Sequence, residues 1–198
     1  MAAGWTRLGH HTLGDHGTLS VSWTGSYRHL KVLCHFKNRN NGNTICFRFN
    51  DDTTGSYGSR RRNIESAQSG GETTNTGTFF NSGMDSYQSD WVVEMNIVNP
   101  VGNYHKQLYG HMSGNKSDVS GMEISGKWKG GSQIVKITSE LEFGNEIIQS
   151  GSSMTVWGAD DAPQTPVYPN LTNGTIFEES DTGKHYMFDG TSTWNEIT

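Results

Sequence analysis

Leu30-Lys31-Val32-Leu33-Cys34-His35-Phe36 and Thr44-Ile45-Cys46-Phe47-Arg48-Phe49 decide the fold class. In an extended chain alternate side chains point to opposite faces. Leu30, Val32, Cys34 and Phe36 therefore share one side of the first run, and Ile45, Phe47 and Phe49 share one side of the second. Between them lies Lys37-Asn38-Arg39-Asn40-Asn41-Gly42-Asn43, where Asn-Gly supplies left-handed backbone cheaply. The two runs read as a β-hairpin.

The same period of two recurs outward from this pair. It marks Thr18 to Trp23, Trp91 to Val98, Lys106 to Met112, Met122 to Trp128, Ile134 to Thr138 and Ser153 to Gly158. Short strands at regular spacing, with turn residues between them and little support for helix, point to an antiparallel sandwich or barrel. A chain of 198 residues with 25 glycines suits one sandwich plus a small appendage.

The appendage begins where composition changes. Three of the four prolines fall between Pro163 and Pro169, so residues 161–172 read as a stiff linker after a domain at 1–160. Residues 173–198 then form a small module. Gly174 to Glu179, His185 to Asp189 and Trp194 to Ile197 read as the three strands of a meander, too small to be stable without a surface to dock on.

Cys34 and Cys46 fall on opposite sides by strand parity, Cys34 inward and Cys46 outward with Thr44 and Arg48, so two free thiols are expected. Asp51 to Thr78 is polar, lacks an apolar period and reads as a long surface loop. Loops of that length in compact domains carry function or are mobile. Within it Tyr57, Arg60, Arg61 and Arg62 are the residues expected to make contact, and Tyr87, in a second polar stretch, joins them.

A net charge of −5 gives no basic field for a phosphate backbone. The Arg60-Arg61-Arg62 triplet also lacks the interleaved aromatics that stack bases, so no nucleic-acid partner is expected. No run approaches the ~20 apolar residues of a membrane helix, and Met1-Ala2-Ala3-Gly4-Trp5 lacks the pattern of a signal peptide. A chain made in a cytoplasm, without membrane insertion, is the expectation.

Glu94, Glu123 and Glu140 stand singly on their strands, whereas sugar cleavage needs two carboxylates across a groove. His10, His11 and His16, with Asp15, match no metal spacing and read as an exposed turn. The oxygen-bearing Asn50, Asp51 and Asp52 lack the alternation of a calcium loop and read as turn caps. No Gly-x-Ser-x-Gly elbow exists, and Gly151-Ser152-Ser153 reads as a hairpin turn. The tryptophans and most tyrosines lie on alternating strands and read as packing groups, although exposed ones would offer a sugar platform. No enzyme, cofactor or metal is expected.

Three segments resemble proteins of tailed bacteriophages and archaeal viruses. Tyr27 to Leu33 with Phe47 to Asp52 looks like the opening hairpin of a jelly-roll domain, and Ser150 to Gly158 resembles its closing strand. The tail from Asn173 to Thr198, with Gly174-Thr175-Ile176-Phe177-Glu178-Glu179 and Asp189-Gly190-Thr191-Ser192-Thr193-Trp194, looks like a small β-module appended to virion proteins. The resemblance implies an all-β, antiparallel jelly-roll β-sandwich with a C-terminal β-meander. It implies a location on the virion surface as a capsid spike, capsid decoration or tail-fibre head. It further implies other virion proteins as partners, a homo-oligomer with a trimer favoured, and a glycan or protein of the host cell surface as receptor. It carries over no catalytic residue. The alternatives from other classes are a carbohydrate-binding module and a glycan depolymerase.

Overall fold

The structure, a computed structural model, describes residues 4–37, 44–63, 72–77, 80–85, 90–99, 102, 104–114, 120–141, 148–160, 172–190 and 193–197. Chain contacts divide it into two units, Gly4–Asp161 and Ala162–Thr198. The 161–171 stretch of the expected linker, and Tyr87, lie outside the described residues.

The first unit holds β1 (Thr6–Thr12), β2 (Leu19–Ser22), β3 (His29–Phe36), β4 (Thr44–Phe49), β5 (Tyr57–Asn63), β6 (Glu72–Gly77), β7 (Phe80–Asp85), β8 (Trp91–Val98), β9 (Lys106–Gly114), β10 (Ser120–Trp128), β11 (Lys136–Leu141) and β12 (Ser153–Ala159). Every pairing is antiparallel. A large sheet runs β1-β12-β3-β8-β9-β10-β5-β6, and a small one runs β2-β11-β4-β7. The large sheet meets the small one at both ends, β1 and β12 against β2, and β5 and β10 against β7. The core fills the space between.

That core follows from the alternation. Leu30, Val32, Cys34 and Phe36 of β3, and Trp91, Val93, Met95 and Ile97 of β8, are buried on the inner side. Ile45, Phe47 and Phe49 of β4 meet them from the small sheet, with the Phe36 and Phe47 rings edge to face at 6.2 Å. β3 and β4 are therefore not a hairpin. Each pairs with other strands, in different sheets, and the two face each other across the core. Their alternation correctly marked which sides are buried, and two buried sides satisfy each other as well across a sandwich as along a ladder.

Cys34 and Cys46 are both free thiols. Burial pushes the Cys34 thiol far above its ordinary range. Cys46 is excluded from the inner core cluster, as parity requires, yet it is fully covered. Its position explains this. β4 lies between two neighbours, Glu140 stands directly opposite Cys46, and Glu140 is paired with Arg48. A small thiol among larger paired side chains is covered without changing face.

Two further expectations are corrected. His10 and His11 lie on strand β1, not in a turn. His10 Nδ1 sits 2.7 Å from Thr155 Oγ1, and Ser20 N–H donates to His11 Nδ1 at 3.0 Å. The stretch from Asp51 to Thr78 is not one loop, because β5 and β6 occupy much of it. β5 has no apolar period because it is secured by ladders to β10 and β6 along its length and by one anchor at its start.

That anchor is Tyr57, only 2 % exposed. Phe49 N–H donates to its hydroxyl oxygen at 2.9 Å, and the hydroxyl donates back to the Phe49 carbonyl at 3.2 Å. Its ring stacks on Trp128 at 6.4 Å, and Phe49 completes the cluster. Trp128 Nε1–H donates to Asp52 Oδ2 at 2.7 Å, and Thr54 donates to Asp52 Oδ1 through its N–H and hydroxyl. Burial alone would raise the Asp52 carboxyl, but the hydrogen bonds from Thr54, Trp128 and Ser56 outweigh it and hold the group below its ordinary value. The buried Lys106 side chain places its ammonium 5.6 Å from the Trp128 ring centre and donates to the carbonyls of Gly102, Tyr104 and Gly130. Its burial lowers its pKa.

The second unit has β13 (Ile176–Glu179), β14 (Lys184–Phe188) and β15 (Trp194–Ile197) in an antiparallel meander. Phe177, Phe188 and Trp194 cluster on one face, at 5.2 Å for Phe188 to Trp194 and 6.0 Å for Phe177 to Trp194. Only Phe188 among its strand side chains is buried, while Ile176, Phe177 and Met187 are exposed.

Candidate binding site on the outer face of the large sheet

Alternation on β5, β10 and β9 sends one set of side chains to the core and the other to solvent. Leu108 and Met112 of β9, Ile124 and Trp128 of β10, and Tyr57 and Ser59 of β5 are buried. The outward set is Gln107, Tyr109 and His111 on β9, Glu123, Ser125 and Lys127 on β10, and Arg60 and Arg62 on β5.

Register lines these up in rows. Ser125 is paired directly with Arg60 on one side and with Tyr109 on the other. Glu123 is paired in the same way with Arg62 and His111. Between these two rows runs a trough of about 520 Å³ lined by Arg60, Arg61, Arg62, Tyr109, His111, Glu123 and Ser125, with Gly110 and Ile124. On the other side of the Arg60-Ser125-Tyr109 row a second trough of about 780 Å³ is lined by Gly58, Val98, Gln107, Gly126 and Lys127 among others. Arg60, Ser125 and Tyr109 belong to both. Gly110 lets β9 press against β8, for a Cβ there would stand 2.1 Å from the Glu94 carbonyl oxygen.

Arg60 and Arg62 are exposed on the outer face, and Arg61, half-buried between them, still lines the first trough. Tyr57 is not a surface group. It points into the core as the anchor of β5, and the exposed aromatic among the described residues lining the troughs is Tyr109, 57 % exposed. Sequence reading passed over Tyr109 and His111. The signal was available, because Leu108 and Met112 are the inward residues of β9 and the residues alternating with them must face water.

The face also carries acids. Glu94 and Glu123 flank His111 in one row, two strand spacings or about 10 Å apart. That separation suits a glycosidase pair. Both are open to water, however, and Glu94 is held by Lys31 at 2.7 Å, whereas a general acid needs a sheltered, protonated carboxyl. Elsewhere, Asp51 is paired with Lys136 at 2.7 Å, and Asn50 Oδ1 accepts from the backbone of Val135 and Lys136. The suspected oxygen ligands of that turn are thus committed to protein partners. Among the described residues no group of three or more His, Cys, Asp or Glu is placed to hold a metal ion, and no helix is long and apolar enough to cross a membrane.

No family model matches the chain, and no curated protein sequence matches it. The functional reading therefore stands on the topology and on this face.

Proposed function

We propose that the chain is a jelly-roll contact protein displayed on the surface of a virus particle, acting in host attachment or particle assembly. The observation that carries this reading is the strand order. Setting aside β5, β6, β9 and β10, the sheets reduce to β1-β12-β3-β8 facing β2-β11-β4-β7. That order supports an eight-stranded jelly roll, in which two Greek keys wrap one pair of sheets. The four strands set aside are two hairpin-sized insertions, one between β4 and β7 and one between β8 and β11. Both extend the same edge of the same sheet, and together they build the face that holds the two troughs.

A rigid two-sheet core that carries its added hairpins to one contact face is the design expected of a display protein. The C-terminal unit fits it too, since its exposed Ile176, Phe177 and Met187 call for a docking surface. The assembly expected is a homotrimer. Antibody raised against the whole chain should decorate the outside of intact particles released by the producing cells, and light scattering should give a mass near three times the 21.9 kDa chain. Unlabelled particles would remove the virion from the reading.

A second reading, a carbohydrate-binding module that functions apart from any particle, is favoured by the exposed Tyr109 ring between two troughs. Unlabelled particles together with polysaccharide retention dependent on Tyr109 would select it. Release of reducing ends, lost on Glu123→Gln, would instead indicate a depolymerase.

A further inference from the structure

We infer that the twin troughs bind an acidic polysaccharide, a chain of carboxylate-bearing sugars laid across β5, β10 and β9. The inference rests on the reading of this face as the contact surface, and it names the ligand.

Spacing is the first argument. Arg60 and Tyr109 flank Ser125 from the two neighbouring strands, about 10 Å apart by strand spacing. The small serine leaves the row low in the middle. A sugar ring fits that saddle, with one face against the Tyr109 ring. Aromatic rings have the flat apolar surface that the C–H face of a pyranose covers, and this one is already exposed. Because the saddle joins two troughs, a ring seated there has room for further rings on both sides.

Charge is the second. Arg60 and Arg62 alternate on β5, so both guanidinium groups reach the outer face, about 7 Å apart along the strand. The planar fork of arginine matches a carboxylate with two parallel hydrogen bonds, a fit that lysine does not offer. Glu123 stands directly across from Arg62, where opposite charges on paired strands steady each other, and its oxygens also accept from sugar hydroxyls. His111 and Gln107 add polar groups at the ends.

The same carboxylate decides against a polyphosphate. A nucleic-acid duplex brings one charge per about 1.7 Å of its axis, far denser than one carboxylate per sugar, into a groove that holds Glu123 on a chain of net charge −5. One charge per sugar, interrupted by hydroxyls, matches a groove with two outward arginines and one acid.

The test is titration of the full chain with a hexamer of galacturonic acid and with the neutral galactose hexamer, at low and at moderate salt. The galacturonate hexamer should bind, more weakly as salt rises, and the neutral hexamer at least about tenfold less well. Arg60→Gln and Tyr109→Ala should each weaken galacturonate binding about tenfold with melting unchanged. Lys184→Gln, in the C-terminal unit, should leave it intact. Equal binding of the neutral hexamer, preference for dextran sulfate, or tighter binding of a DNA duplex at the same salt would each overturn the inference. If no acidic sugar binds, but Tyr109→Ala abolishes attachment of the chain to cells, the ligand class is wrong and the contact face stands. If Tyr109→Ala changes neither, the face itself is wrong.

Discussion

Strands β8 and β5 lie in one sheet and share its geometry, yet they are built on opposite terms. β8, Trp91 to Val98, buries every second residue, and its fold is written along its whole length. β5, Tyr57 to Asn63, buries Tyr57 and Ser59 and then carries three consecutive arginines. The difference teaches where a β-protein can place variable chemistry. A strand ladder-bonded on both sides and anchored by one aromatic at its start needs no apolar period, so its remaining outward positions can carry charge without cost to the fold.

The largest effect should come from the shared anchor. Trp128→Ala removes the ring that Tyr57, Phe49 and Lys106 all touch and leaves Asp52 without its indole donor. A loss of about 3–5 kcal/mol in denaturant unfolding is expected, affecting β8 and β5 alike. Tyr57→Phe is a sharper instrument. It keeps the ring but strands the buried Phe49 N–H, at a cost of about 1–3 kcal/mol. Amide exchange should quicken across β5 while β8 stays protected, and equal quickening in both would break the contrast.

Acid should act at the same anchor more gently. Asp52 has its folded pKa below the unfolded value, so it adds stability that is present above the ordinary carboxyl range and is lost as pH falls through the lowered folded value. Thermal melts taken from neutral pH to about pH 3 should therefore decline less steeply for Asp52→Asn than for the native chain. The smallest effect on stability belongs to the arginines. Arg62→Gln, on an exposed outer position, should shift unfolding by no more than about 0.5 kcal/mol.

The same contrast explains what was legible in the sequence. The bounds of β8 were plain, because burial imposes a period of two that needs no tertiary knowledge. The partners of β3 and β4 were not, since alternation tells which side of a strand is buried and not which sheet it joins. β5 lacks that period, which is why its sequence alone reads as loop and Tyr57 as a surface residue. Of the contact face, the arginine triplet stood out by charge alone. Its assembly with Tyr109, His111, Glu123 and Ser125 depends on the pairing of β5 with β10, in which Arg60 meets Ser125 from 65 positions away and Arg62 meets Glu123 from 61, and no local pattern records that pairing.

The measurement that bears most directly on the account is competition for attachment. On the proposal that the chain sits on a virus particle, the purified 198-residue chain should slow adsorption of that particle to its host cells, and a chain carrying Arg60→Gln and Tyr109→Ala, with unchanged melting, should not. If the doubly substituted chain competes as well as the native one, contact is made elsewhere and the outer face of β5, β10 and β9 is not the attachment surface.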